Sequence, residues 1–185
     1  MLLDTPICDF GWKAPDFTLN DSEGTAHRMS DYLGPNGLLI TFICNHCPYV
    51  QAIADRLAAD TALLASEGIK TLAVMSNDYR RVPSDSPPEM VKFAQQHGFD
   101  FPYLIDEDQS VAQTYRAVCT PDFFGLNGQG ELHYRGRLDN LRMGRGDGGP
   151  AERAPELINA MRLIADTGKG PQDQTPSMGC SIKWS

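Results

Sequence analysis

Two cysteines separated by two residues, in Cys44-Asn-His-Cys47, follow the most apolar stretch of the chain, Leu38-Leu-Ile-Thr-Phe-Ile43, and precede a run with helical spacing. Thiols one helical turn apart can close a small-ring disulfide or release a mixed one, so the spacing points to redox exchange. The pattern predicts that Cys44 lies at or before the first helical turn, where free backbone N–H groups and the helix dipole favour a thiolate. Cys44 is therefore the expected nucleophile and Cys47 the expected resolving thiol. As a cation, His46 between them would further stabilise the Cys44 thiolate and make the pair more oxidising, whereas a solvent-screened His46 would do little. The rival chemistry is a non-enzymatic soft-metal site, Cu(I) or zinc held by Cys44, Cys47, His46 or Cys119. A lone C-x-x-C supplies two thiolates, whereas a closed zinc site takes four ligands. Inert burial of the pair is the bland third reading.

Those residues need a strand to end and a helix to begin at the right place. Residues 38–43 read as a central strand covered on both faces, and from Pro48 the positions Val50, Ile53, Ala54, Leu57 and Leu64 predict a helix that stops at Glu67-Gly68. A strand over 69–75 follows, then a polar, proline-bearing connection over 76–88. Ser86-Pro-Pro-Glu89 predicts a capped helix running to Gly98 with Met90, Phe93 and Ala94 inward. Residues 101–105 form the next expected strand, a brief helix runs through Tyr115, and Cys119-Thr-Pro121 breaks any continuation. A hairpin over 122–126 and 131–138 turns on Asn127-Gly-Gln-Gly130, with Leu132, Tyr134 and Leu138 inward and Glu131, His133, Arg135 and Arg137 solvated. Leu157, Ile158, Met161, Ile164 and Ala165 mark a last helix between Pro155 and Gly168. With a small hairpin over 17–29 in front, this order predicts an α/β fold, a mixed sheet with helices on both faces.

The 185 residues, 41% hydrophobic and 22% charged, suit one domain over 1–166, with 139–153 an insertion and 167–185 a C-terminal tail docked by Ile182 and Trp184. Sixteen basic against 24 acidic residues give a net charge of −8, the wrong sign for nucleic acid or an anionic membrane surface. Arg135, Arg137, Arg142, Arg145 and Arg153 are offset by Glu131, Asp139, Asp147 and Glu152 and form no basic patch. Met1 to Phe17 lacks the basic start and apolar stretch of a secretory leader, so a cytoplasmic location is expected. Five cysteines are too few and too scattered for a disulfide scaffold. Cys8 is an expected bystander, Cys119 a groove residue or plain packing, and Cys180 part of the docked tail.

On Ala14-Pro-Asp-Phe-Thr-Leu19, Phe42-Ile-Cys-Asn-His-Cys-Pro48 and Cys119-Thr-Pro121 the chain resembles the thioredoxin-like redoxins, over Lys13 to Ala165. Cys44-Asn-His-Cys-Pro-Tyr-Val50 with Gly179-Cys-Ser-Ile-Lys-Trp184 is similar to a bacterial subgroup placed with the alkyl hydroperoxide reductase and thiol-specific antioxidant (AhpC/TSA) proteins. The resemblance implies a thioredoxin-like three-layer fold with an N-terminal hairpin extension. It also implies a cis Pro121 beside the C-x-x-C, and a Cys119-Thr120 backbone that pairs with an extended substrate segment. Asn45, His46, Cys119, Thr120 and Pro121 then support the catalytic Cys44 and Cys47. The implied activity is thiol-disulfide exchange, with thiol peroxidase, an antioxidant function, as the alternative. The substrate is a protein or small-molecule disulfide, or a peroxide. A cellular dithiol such as thioredoxin is the reductant, and no cofactor is called for. The oligomeric state is open, a homodimer included. Two departures matter: Ile43 stands where thioredoxins carry Trp, and Gly37 replaces the Pro of the peroxiredoxin P-x-x-x-T-x-x-C pattern. Only Thr41 survives from that pattern, and in an apolar strand it reads equally well as core, so exchange is favoured.

Overall fold

Alternation along the central strand divides the core in two. Leu38, Ile40 and Phe42 turn to one side with Leu72, Val74 and Phe124, while Leu39 and Ile43 turn to the other with Ala73 and Phe123. The computed structural model describes residues 1–141 and 152–185, so Arg142, Arg145 and Asp147 of the charge cluster lie outside the described residues. The elements are β1 (Leu2–Asp4), β2 (Thr18–Asp21), β3 (Ala26–Arg28), α1 (Met29–Tyr32), β4 (Leu38–Phe42), α2 (Pro48–Ser66) and β5 (Lys70–Met75). After a 3-10 turn at Pro83–Asp85 come α3 (Pro87–His97), β6 (Tyr103–Ile105), α4 (Ser110–Tyr115), β7 (Cys119–Thr120), β8 (Asp122–Leu126), β9 (Leu132–Tyr134), α5 (Glu156–Thr167) and β10 (Met178–Ser181).

Seven strands form one sheet in the order β3-β2-β6-β5-β4-β8-β9. β4 pairs in parallel with β5 and β5 with β6, whereas β8 runs antiparallel to β4 and β9 to β8. Helices α2, α3 and α5 cover one face and α1 and α4 the other, giving three layers. Leu57 and Leu64 of α2 have no exposed surface, and each contributes about 1.5–3 kcal/mol by leaving water. Gly98 and Gly168 end α3 and α5 in the left-handed conformation, where a residue without Cβ carries no steric penalty.

The fold departs from the sequence reading in three places. Ser86 precedes α3 but makes no side-chain cap; Pro88 removes the N2 amide, one of the two donors a cap serine serves. The second hairpin strand ends at Tyr134, short of Leu138, and its alternation fails at Arg135, which is 5% exposed. There the guanidinium reaches the fully buried Asp122 carboxylate at 2.8 Å and stacks 4.4 Å from the Phe124 ring, so this arginine is core and not solvated. Arg137 does lie at the surface, paired with Glu156. The third departure is a second sheet, β1-β10-β7, that draws the C-terminal segment into the structure next to the cysteines.

Candidate active site

The cysteine loop begins where β4 stops and ends at Pro48, the first residue of α2. Proline suits that position, since its missing N–H has no partner in a first turn and its fixed φ is already helical. Cys47 is consequently the residue at the helix N-terminus, its carbonyl accepting the Gln51 N–H at 2.9 Å. This corrects the expectation that Cys44 occupies that place, for Cys44 lies three residues ahead of it. Both thiols are reduced and have no exposed surface.

Thr120 joins them. Its hydroxyl lies 3.3 Å from Cys44 Sγ, and with both sulfurs protonated the Cys47 thiol donates to its carbonyl oxygen at 3.3 Å. The Thr120–Pro121 peptide is cis. The backbone edge of β7, where an extended substrate segment was expected, is taken by β10, with Cys180 opposite Thr120 and Ser181 opposite Cys119. A Cβ on Gly179 would overlap the Thr120 carbonyl, so only glycine lets the two strands come this close. Cys119 alternates to the side away from Thr120, is fully buried, and has its thiol pushed up to about 12 by burial. The thiol that adjoins the pair is Cys180.

Beneath the loop sits Asp85, from the 3-10 turn, without exposed surface. It accepts the Asn45 N–H at 2.8 Å, the His46 N–H at 3.0 Å, His46 Nδ1 at 2.6 Å and Asn77 Nδ2 at 2.9 Å. Asn45 adds side-chain ties: it donates to the Ser84 carbonyl at 3.0 Å and accepts from the Tyr103 hydroxyl at 2.9 Å. The sequence reading missed Asp85, Asn77 and Tyr103. Asp85 lies in a connection read as merely polar, and its one signal is an acid just ahead of a proline-led helix.

Charge in this site is unevenly shared. Cys47 is lowered, first by the neighbouring Cys44 thiol, which holds the proton the pair shares, with burial opposing. Cys44 is raised, first because it holds that proton, then by burial and by the Asp85 charge. His46 is raised by its hydrogen bond to Asp85. Burial pushes Asp85 up, but the bonds from His46 and Asn77 outweigh it and leave the carboxyl lowered. His46 Nδ1 also lies 3.6 Å from Cys44 Sγ, yet its cation is matched by Asp85, so it does not act on Cys44 as the lone positive charge expected from the sequence.

Cys44, His46 and Asp85 bring one donor atom each within 4.8 Å of one another, a set of three that could meet a metal only by breaking the His46–Asp85 bond. Cys8 stays apart from the site, its thiol pushed up to about 11 by burial. Thr41 is buried in β4, its hydroxyl unpartnered among the described residues, and reads as core. A cleft of about 680 Å³ runs beside Pro121, lined by Tyr49, Ile53, Phe123, Ser177 and Met178 among others, and neither sulfur reaches it.

The thiol-disulfide oxidoreductase ResA of Geobacillus kaustophilus is 29% identical over 122 residues, 66% of this chain and 66% of that protein's length. An uncharacterized conserved protein from Geobacillus kaustophilus superposes with a TM-score of 0.91 at 36% identity, covering 100% of this chain and 97% of that one. The thioredoxin domain of a thiol-disulfide oxidoreductase from Bacteroides vulgatus matches with a TM-score of 0.59 at 16% identity over 70% of this chain and 89% of that one. The fold is thus thioredoxin-like. No helix among the described residues is long and apolar enough to cross a membrane. With residues 10–135 matching the family model, the chain belongs to the AhpC/TSA family.

Proposed function

We propose that the protein is a thiol-disulfide oxidoreductase in which Cys44 and Cys47 shuttle between dithiol and disulfide. The observation that carries this is the seating of two reduced, buried thiols at the strand-to-helix junction, both against Thr120 and with Cys47 at the helix N-terminus. Cys47 thiolate attacks a substrate disulfide, and the first substrate sulfur leaves as thiolate. Once Cys47 is in the mixed disulfide its charge is gone, and with it the main cause that holds the Cys44 proton. Cys44 then ionises, attacks Cys47 and expels the second substrate thiolate, leaving a Cys44–Cys47 disulfide for a dithiol such as thioredoxin to reduce. This order exchanges the roles expected from the sequence.

A peroxide is the second reading, favoured by one observation: neither sulfur has exposed surface, which suits a small acceptor. Cys47 would take the peroxide oxygen as a sulfenic acid, and Cys44 would expel water to give the same disulfide. Rapid mixing of the reduced protein with hydrogen peroxide and, separately, with a model disulfide separates the two by rate. Iodoacetamide labelling against pH, read by peptide mass, tests the order. Cys47 labels first in acid; preferential labelling of Cys44 there overturns the assignment, and no reaction with either oxidant overturns the function.

A further inference from the structure

Three thiols meet at Thr120. Cys180 stands opposite it in the β10–β7 register, on the same face as the Thr120 hydroxyl that touches Cys44, and packs on the same apolar cluster as Cys44 and Cys47. Its strand packs against α2, the helix with Cys47 at its N-terminus. The strand that carries it is fixed on both edges. β1 pairs Leu2 with Cys180 on one side, and on the other Ser177 Oγ donates to the Pro121 carbonyl at 2.8 Å and the Ile182 N–H to the Val118 carbonyl at 2.9 Å. Ile182 is buried and Gly179 provides the close approach. Such a seat holds Cys180 beside the C-x-x-C pair. Unlike the other two thiols, Cys180 is partly exposed; burial and the neighbouring Cys47 push its thiol up to about 11, against the Lys183 and N-terminal ammonium groups, and the Cys47 part of that opposition ends once Cys47 is held in a disulfide.

We propose that Cys180 is a third redox-active thiol of this site, which takes Cys47 over from the Cys44–Cys47 disulfide. The proposal rests on the dithiol function above. Cys180 gives its proton to solvent and attacks Cys47 Sγ. The Cys44–Cys47 bond breaks, the Cys47–Cys180 bond forms, and the electron pair of the broken bond leaves on Cys44, which takes up a proton. The site stays at the two-electron oxidised level throughout, so no further oxidant is consumed. The exchange moves the disulfide from a wholly buried pair to one with a partly exposed sulfur, where a dithiol reductant can attack. It also makes β10 the occupant of the position in which a substrate strand would pair with β7.

The test uses the full chain, reduced, freed of reductant, treated with one equivalent of diamide, blocked with N-ethylmaleimide, digested without reduction and mapped by mass. Wild type is expected to yield both Cys44–Cys47 and Cys47–Cys180 peptides, and Cys44→Ser mainly Cys47–Cys180. Cys180→Ser should yield Cys44–Cys47 alone and be reduced by dithiothreitol about tenfold more slowly. Cys44→Ala and Cys180→Ala, checked by near-ultraviolet circular dichroism, guard against a fold defect in the serine variants. A blocked, unlinked Cys180 in both Cys44 variants, with wild type still forming Cys44–Cys47, overturns the proposal. If Cys44–Cys47 never forms while Cys47–Cys180 does, it is the dithiol function that fails, and the exchange loses its starting disulfide.

Discussion

Replacing Asp85 by Asn changes one oxygen to an amide nitrogen and removes the charge around which the cysteine loop is wound. Four donors converge on this buried carboxylate at 2.6–3.0 Å, two from the backbone of Asn45 and His46 and two from the side chains of His46 and Asn77. Bonds to a charged acceptor contribute about 1.5–3 kcal/mol each, and neutral ones about 0.5–1.5. Asn keeps an oxygen for the backbone pair, at the lower value, but presents an NH₂ to His46 and Asn77. Losing one partner of a buried ion pair costs about 3–5 kcal/mol, the figure expected for Asp85→Asn. His46 should return toward about 6.5, and Cys44, relieved of a neighbouring anion, should become more acidic. Urea unfolding of the reduced protein at about pH 6 gives the first quantity, and ring-proton resonances of His46 followed against pH give the second. A loss below about 1 kcal/mol with an unmoved His46 titration would refute the view that Asp85 organises the loop.

The same pair sets a pH window. The raised His46 contributes fully below its unfolded value of about 6.5 and fades as pH rises through its folded value. The lowered Asp85 contributes fully above about 3.9 and fades as pH falls through its folded value. The stability difference between wild type and His46→Gln should therefore peak between about pH 4 and 6.5, and a difference constant from acid to alkali contradicts this. Arg135→Ala leaves Asp122 buried without its partner and should cost about 3–5 kcal/mol in denaturant unfolding, with Arg135→Lys a poor rescue because it lacks the two-pronged geometry. A cost for Arg135→Ala under about 1 kcal/mol would show the pair to be dispensable. Gly179→Ala should lift β10 from Thr120, lowering stability by about 1–3 kcal/mol and speeding alkylation of Cys47; unchanged labelling would mean that β10 does not shield the sulfur.

What could be read from the sequence was local. A continuous β-branched run and a helical stripe on either side of Cys44-Asn-His-Cys47 located the strand-to-helix junction, because each pattern is set by near neighbours. The helix start was legible too, from proline's preference for the first helical position, and a start at Pro48 sets Cys47 rather than Cys44 next to the dipole. Arg135 escaped because alternation presumes that a strand continues, and this one ends a residue earlier. Asp85 lies 39 residues from His46, and Cys180 lies 60 residues from Thr120, its partner across β7 and β10. Contacts at such separation depend on sheet topology, and no periodicity in either segment encodes them.

The lowered Cys47 thiol has a consequence for how folding and oxidation are linked. An unfolded chain holds that cysteine as an ordinary thiol at neutral pH, whereas the fold lowers it, chiefly through its tie to the Cys44 thiol at the start of α2. Around the thermodynamic cycle joining folded and unfolded, dithiol and disulfide, the preference must appear on both legs. Under the proposed dithiol function, whatever stability the fold gives the Cys47 thiolate is stability the disulfide form lacks, so that contribution would make the oxidised molecule the looser one. A dithiol reducing it would then also draw it toward its firmer state, and the hold on electrons and the resistance to unfolding would be one quantity seen from two sides.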